Sequence, residues 1–347
     1  MSRVVIGISG GVDSSVAAYL LKEKGYEVIG VTFIFTNDFD SNDAIEVCKK
    51  LNIEHHILDY KNIFKEKVID NFINDYNSGI TPNPCILCNR FVKFNFLYES
   101  MIKFNADYFA TGHYARVNNG RLYKSVDLNK EQTYFLSNIT KEQLNKVIFP
   151  LDGIDKEKVR LIAKELGLIN ALKKDSTDVC FITTNFKDYM KDKLNNKVGK
   201  VINVVNNQIV GEHDGLNNYT IGQRRGLNIG GFKERMYVVG KNIEENILYI
   251  ATGDDNEFLI STSCILENVN LFTDILFDSC KAKFRYRQME EEVKIKWLSN
   301  DKVEVIYENG IKSVTPGQAC VFYNNDECLG GGIIKEVKKN NERLWYL

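Results

Sequence analysis

An excess of charge of either sign is missing from this chain: 45 Lys and Arg against 46 Asp and Glu leave a net charge of −1. That excludes a global basic field of the kind that marks a general nucleic-acid binder, so any RNA contact has to come from local patches. Long hydrophobic runs are missing too. No apolar stretch approaches the roughly 20 residues of a membrane span, and no signal-peptide pattern precedes the strand-like run that begins at Val4. The expectation is a cytoplasmic protein with no membrane partner. In that compartment its eight cysteines are reduced core residues, metal ligands or catalytic thiols before they are structural disulfides. Proline is scarce as well, four in 347 residues, and two of the four flank Asn83, which predicts an extended, restrained loop there.

What is present begins with an apolar run, Val4-Val5-Ile6-Gly7-Ile8, that leads into Ser9-Gly10-Gly11-Val12-Asp13-Ser14-Ser15 and then an amphipathic segment to Lys24. This is strand, glycine turn, helix. Gly10 and Gly11 can expose backbone N–H groups at close range while the helix points its partial positive end into the same space, an arrangement that binds phosphate. The Walker pattern would need a Lys after its last Gly, and none is there. The Ser-Gly-Gly-x-Asp-Ser form resembles the pyrophosphate loop of the N-type ATP pyrophosphatases, which split ATP between its α- and β-phosphates. The resemblance implies ATP on Gly7, Ile8, Ser9, Gly10, Gly11, Val12, Asp13 and Ser14, with Asp13 placing Mg2+.

Helix and strand signals alternate after the loop: strand over 27–35, helix over 43–51, strand over 54–60, helices over 62–77 and 89–104, strand over 108–111. Alternation of this kind predicts a parallel sheet wrapped by helices, with ligands at the carboxyl ends of the strands. Phe33, Gly112 and His113 then fall where an adenine or an acceptor would lie, although for Phe33 core packing explains the residue equally well. The segment Pro82-Asn83-Pro84-Cys85-Ile86-Leu87-Cys88 sets a Cys-x-x-Cys pair behind the restrained loop. If Cys88 opens the helix, the dipole favours its thiolate. Zinc would need a second cysteine pair or spaced histidines, which His55, His56 and His113 do not supply. A third thiol, Cys180, follows the polar run Lys174-Asp175-Ser176-Thr177-Asp178.

The loop, Thr81-Pro-Asn-Pro-x-x-x-Cys88-Asn89, Thr111-Gly-His-Tyr-Ala-Arg116, Glu131-Gln-Thr-Tyr-Phe-Leu136, Asp175-Ser-Thr-Asp-Val-Cys-Phe-Ile182, Ile221-Gly-Gln-Arg-Arg-Gly-Leu227 and Thr315-Pro-Gly-Gln318 follow one another across nearly the whole chain. In that order they resemble the bacterial tRNA-specific 2-thiouridylases. The resemblance implies ATP-dependent 2-thiolation of the wobble uridine of tRNAs for Lys, Glu and Gln. Uridine O2 is adenylated, and sulfur then replaces it. By motif position Cys180 would carry a persulfide and Cys88 would release its terminal sulfur, the two ending as a disulfide. Asn83, Pro84 and Cys85 would lie against the target base. His113, Lys130, Glu131, Gln132, Arg285, Tyr286 and Gln318 would touch tRNA, and Gly112 and Phe33 would touch ATP. A cysteine desulfurase or a sulfur-relay protein would be the donor.

Two departures stand out. Position 85 is commonly Asp in the family, so Cys85, Cys88 and Cys180 could instead hold a [4Fe–4S] cluster that carries sulfide. Glu131 replaces the usual Asp. The same loop also serves synthetases that adenylate a small metabolite, which need neither Cys88 nor Cys180, and a non-catalytic nucleotide and RNA sensor would use it without releasing pyrophosphate.

From Lys197 short alternating runs predict an all-β second half: a hairpin over 201–210, strands over 236–239 and 247–250, and a last β unit from Leu259 forming a small barrel or sandwich. The basic turn Gln223-Arg224-Arg225-Gly226, with Lys233 and Arg235, is a candidate phosphate contact. Lys281, Lys283, Arg285 and Arg287 alternate with Ala282, Phe284 and Tyr286, which on one strand would align four cations on one face. The expected fold is thus an α/β N-terminal domain of the adenine-nucleotide pyrophosphatase type over 1–196, a central β domain over 197–258, and a C-terminal tRNA-binding β-barrel-like domain over 259–347.

Overall fold

The structure is a computed structural model that describes residues 1–173, 179–182, 184–194, 196–227, 229–230 and 234–347. The expected polar run at 174–178 and Lys233 therefore lie outside the described residues. The first half folds as the alternation predicts. Strand β1 (Arg3–Gly7) is apolar and buried on both faces, as a central parallel strand must be, and helix α1 (Val12–Glu23) follows it directly. Strand β2 (Glu27–Ile34), helix α2 (Asn42–Leu51), strand β3 (Glu54–Asp59) and strand β4 (Tyr108–Ala110) complete the frame. The sheet is all parallel, in the order β3-β2-β1-β4, with Val147–Ile148 at the far edge. Its strand order reverses beside β1, so the crevice at the carboxyl ends of β1 and β4 is the place for a ligand.

Two helices differ from expectation in one respect. The segment from Lys61 to Asn77 contains a π turn at Lys65–Ile69, and a second helix begins at Pro84 and contains another at Asn89–Lys93. Phe64, Val68, Phe72 and Tyr76 share one buried face, as their spacing predicted. Cys88, however, does not open a helix. Pro84 takes the first position, where its missing N–H costs nothing, and Cys88 closes that first short piece.

The second half is all β. Gly199–Asn203 and Gln208–His213 form the expected hairpin, joined by Met236–Asn242 and Ile247–Thr252 in a four-stranded sheet. The last unit is a closed antiparallel barrel. Ile260–Leu271 pairs with Val303–Lys312 on one side and with Glu327–Lys339 on the other, and Glu291–Trp297, Ser279–Lys283 and Ala319–Asn324 complete the ring. The basic strand ends at Lys283. Arg285 and Arg287 sit in the turn beyond, where the Gln288 N–H donates to the Arg285 carbonyl, so the four cations do not share one strand face. Lys281 faces Glu292, and Lys283 faces Glu290 and Glu131.

The parts are sewn together. A hairpin from the first half, Ala115–Asn118 with Arg121–Lys124, adds to the barrel strand Glu327–Lys339, and one apolar cluster joins Phe94, Tyr134 and Leu136 to Val321 and Tyr323. A second cluster runs from Val238 and Ile250 in the central sheet to Phe284 and Val305 in the barrel. No helix among the described residues is long and apolar enough to cross a membrane.

Candidate active site at the ends of β1 and β4

Gly10 has φ +75°, which opens the turn after β1, and the loop closes on itself through hydroxyls. The Ser14 and Ser15 hydroxyls donate to the Gly11 carbonyl at 3.0 and 2.9 Å, and the Ser9 N–H donates to Ser14 Oγ at 3.2 Å. The loop is therefore shaped by its own side chains before any ligand arrives. Asn170 props it from behind, donating to the Gly10 carbonyl at 3.0 Å and to Ser15 Oγ at 2.9 Å.

The cation that the loop lacks in sequence is supplied by the fold. Lys156, only 8% exposed, places Nζ 2.7 and 2.8 Å from the two carboxylate oxygens of Asp13, and the Tyr114 hydroxyl donates to the same carboxylate at 2.7 Å. Lys156 is the first residue of the helix Lys156–Glu165, where a cation opposes the helix dipole. That unfavourable placement was the one sequence signal for it. Asn170 and the partnership of Tyr114 with Asp13 had no such signal.

Gly112, after β4, is in direct contact with the start of α1. A Cβ there would stand 2.8 Å from the Ser14 nitrogen and 2.9 Å from the Asp13 carbonyl carbon, closer than atoms can pack. Gly112→Ala is thus expected to push the loop off its phosphate-ready shape and weaken ATP binding at least tenfold. Equilibrium dialysis with ATP checks this, and Gly230→Ala, whose Cβ meets nothing within 4 Å on a backbone without positive φ, serves as the control.

The next residue begins the second centre. His113 Nδ1 lies 2.9 Å from Thr111 Oγ1, and the ring packs against Phe94. Burial and the nearby Lys93 charge push its pKa down to about 3, so it is a neutral imidazole at physiological pH. Lys93 acts electrostatically on Cys85, Cys88 and Cys180 as well, so the three thiols predicted from sequence are brought to one cation. The π turn explains how. An α-helix has about 3.6 residues per turn, which would set positions 88 and 93 roughly 140° apart. The wider turn Asn89–Lys93 brings the Lys93 charge to bear on the Cys88 thiol.

The thiols differ in state. Cys88 is 4% exposed, and burial pushes it up to about 12 despite Lys93, while Cys85 is raised for the same reason. The dipole-lowered thiolate expected at Cys88 is therefore not found: the residue is not at a helix start, and desolvation outweighs the cation. Cys180 is exposed, and all eight cysteines are free thiols. Iodoacetamide at neutral pH is expected to alkylate Cys180 at least a hundredfold faster than Cys88. The Cys88 rate should climb as pH rises toward 12, since only then does the buried thiol ionise. Peptide mass spectrometry of a timed quench reads both.

The residues present do not fit an iron–sulfur cluster. No group of three His, Cys, Asp or Glu among the described residues is placed to hold a metal ion.

Other predicted residues take defined places. Asn83 holds the position before the helix at Pro84 without a side-chain cap bond, near Tyr134, whose hydroxyl donates to the Ala319 carbonyl at 3.0 Å. Gln132 bonds the Tyr114 backbone in both directions, fixing the segment that links the two centres. Glu131 is only 5% exposed and accepts from the Thr133 N–H, so it supports the Lys283 side rather than presenting a surface. Tyr286 packs on Phe135 with ring centroids 4.3 Å apart, beside the exposed Arg285. Arg224 and Arg225 are exposed, and Arg235 faces Asp254. The Phe33 ring is taken up by Phe35, Tyr60 and Phe96, so packing accounts for the side chain.

Comparison with known proteins matches residues 2–184 to a family described as tRNA methyl transferase HUP domain, 187–252 to tRNA methyl transferase PRC-barrel domain, and 261–334 to aminomethyltransferase beta-barrel domain. Among full-length relatives, the chain is 45% identical to tRNA-specific 2-thiouridylase MnmA of Bacillus licheniformis, 46% to that of Geobacillus thermodenitrificans and 44% to that of Bacillus subtilis. In each case the alignment covers 100% of this chain and 98% of the relative.

Proposed function

The chain belongs to the tRNA-specific 2-thiouridylases, and from that premise we propose that its two centres divide one reaction, ATP-dependent replacement of oxygen by sulfur at C2 of a tRNA uridine. The observation that carries this division is the segment 111–114. Gly112 backs the pyrophosphate loop, His113 shares Lys93 with the thiols, and Tyr114 bonds Asp13, so four consecutive residues span both centres.

In the first half-reaction O2 of the uridine attacks the α-phosphate of ATP, and the bond to pyrophosphate breaks. The loop N–H groups and the start of α1 hold the phosphates. Lys156 neutralises Asp13 before ATP binds and turns toward the phosphates afterwards. Mg2+ would then take the Asp13 carboxylate and offset phosphate charge. In the second half-reaction the Cys88 sulfur bonds to Sγ of a Cys180 persulfide anion, and the Cys88 thiol proton passes to the terminal sulfur. The bond from Sγ to the terminal sulfur breaks, and that sulfur leaves as hydrosulfide with the electron pair. It adds to C2, and AMP departs with the original oxygen. The Cys88–Cys180 disulfide so formed takes two electrons from a thiol reductant to reset the enzyme.

The exposed position of Cys180 favours it as the acceptor of sulfur from a protein donor, a desulfurase or relay protein, and the shelter of Cys88 keeps it from competing. The wobble uridine of tRNAs for Lys, Glu and Gln is the proposed target. Lys130, Arg285 and Tyr286 are its proposed contacts, beside Asn83, Pro84, Cys85, His113 and Gln318. The three sheets support division at 1–196, 197–258 and 259–347, and a tRNA substrate supports a cytoplasmic location. Protein, ATP, Mg2+, a persulfide donor and unmodified tRNA should yield 2-thiouridine by nucleoside mass spectrometry. Absence of the product with a competent donor refutes the proposal.

A further inference from the structure

The four residues that precede Asn83 are gripped from two sides by parts of the protein far away in sequence. After Asp70–Asn77, the chain turns at Gly79 (φ +74°) and runs through Ile80, Thr81 and Pro82 to the helix that carries Cys85 and Cys88. From the barrel, Gln318 Nε2 donates to the Thr81 carbonyl at 2.7 Å and to the Pro82 carbonyl at 3.4 Å. The Thr81 N–H returns a bond to the Pro316 carbonyl at 3.3 Å. From the central sheet, Lys241 Nζ donates to the Gly79 carbonyl at 3.2 Å, and Ile243 fills the space beside Gly79. Gly317 fits so closely under the strap that a Cβ would stand 2.1 Å from the Ile80 side chain.

Lys241 is the unexpected member. It lies on Met236–Asn242, a strand that otherwise builds the central core, and is 8% exposed. No carboxylate within ion-pair distance of it is found among the described residues. A buried ammonium costs free energy unless it is hydrogen-bonded, and a charge-assisted bond to a carbonyl is about twice as strong as a neutral one. Burial pulls its pKa down to about 8, the expected sign for an ammonium held by a carbonyl instead of a carboxylate. The strap and this lysine therefore stabilise each other. Pro82 and Pro84 stiffen the chain on either side of Asn83, and the bonds from Gln318 and to Pro316 hold Thr81 and Pro82, which leaves few free dihedrals between Gly79 and Cys85 to absorb a displacement.

We propose that Lys241 is a positioning residue for the thiolation reaction: it fixes the Gly79 carbonyl and, with Gln318 on the other side of the strap, presents Asn83, Cys85 and Cys88 to the uridine. This rests on the proposed function of that loop. The chemistry at the site is thereby tied to the seating of both β units, and tRNA bound across them bears on the strap directly.

The test uses full-length protein with Lys241→Met, which keeps the stem but removes donor and charge, and Lys241→Arg, which restores both. Amide exchange of the peptide covering 79–88 is expected to quicken at least tenfold in Lys241→Met and to return toward wild type in Lys241→Arg. Steady-state thiolation should show kcat falling at least tenfold with KM for tRNA changed less than threefold, because the large tRNA surface is untouched. ATP affinity should not move. A merely structural lysine would lower the melting temperature without splitting kcat from KM, and that outcome, or unchanged exchange at 79–88, overturns the inference. If Lys241→Met does not fold, wild-type exchange decides: strap amides that exchange as fast as those of exposed Asn37 and Asp38 contradict a clamp. A wild-type protein that makes no 2-thiouridine would instead defeat the functional proposal.

Discussion

Cys180→Ala is expected to lose 2-thiouridine formation by more than about a thousandfold, the scale seen when a covalent nucleophile is removed, while still releasing pyrophosphate in the presence of tRNA. The expectation follows from the separation of the centres. Cys180 is exposed and shares Lys93 with Cys85 and Cys88, whereas the phosphate loop is held by Ser14, Ser15, Asn170 and the Asp13–Lys156 pair. None of the loop contacts involves a thiol. Adenylated tRNA should therefore accumulate, and a phosphorus-labelled AMP–tRNA adduct on acid gels would show it. A protein without Cys180 that retains thiolation would require sulfide from another source and would remove the persulfide route.

Lys156→Ala is expected to do the reverse. Removing one preorganised charge from a site where negative charge develops costs about 10²–10³ in rate, and here the loss should fall on pyrophosphate release and on thiolation alike. Persulfide loading of Cys180 by a donor should be unchanged, since the lysine lies at the other centre. The size of the effect reflects the burial of Lys156: its charge acts through little water, on a loop with no lysine of its own. Tyr114→Phe should cost less, because Lys156 already bonds both oxygens of Asp13. If Lys156→Ala released pyrophosphate at the wild-type rate, the lysine would be only a counter-charge for Asp13.

How much of this could be read from the chain depended on the range of the interaction. Ser9 to Ser15 and the Cys85–Cys88 spacing are local patterns, and the parallel sheet follows from alternation, so these were legible. Lys156 meets Asp13 across 143 positions and Asn170 meets Gly10 across 160, and neither residue type advertises its partner. The π turn at Asn89–Lys93 carries no marker in its residue types, and the start of the helix at Pro84 together with the burial of Cys88 reversed the expected shift of that thiol. Alternation at 281–287 misled for a different reason: the pattern runs on into a turn that Gln288 closes onto Phe284 and Arg285, and periodicity alone does not mark a strand's end. Gln318 also bonds the carbonyls of Thr81 and Pro82, a contact across 237 and 236 positions that no local pattern marks.

The most direct test of the central claim is a single-turnover reaction. Protein loaded with one persulfide at Cys180 is mixed with ATP, Mg2+ and unmodified tRNA, without reductant and without iron, and thiouridine and protein disulfide are counted by mass spectrometry. The account predicts one 2-thiouridine and one Cys88–Cys180 disulfide per persulfide consumed, with turnover resuming only when a thiol reductant is added. Thiouridine formed with both cysteines still reduced, or formed only after iron is restored, would contradict it.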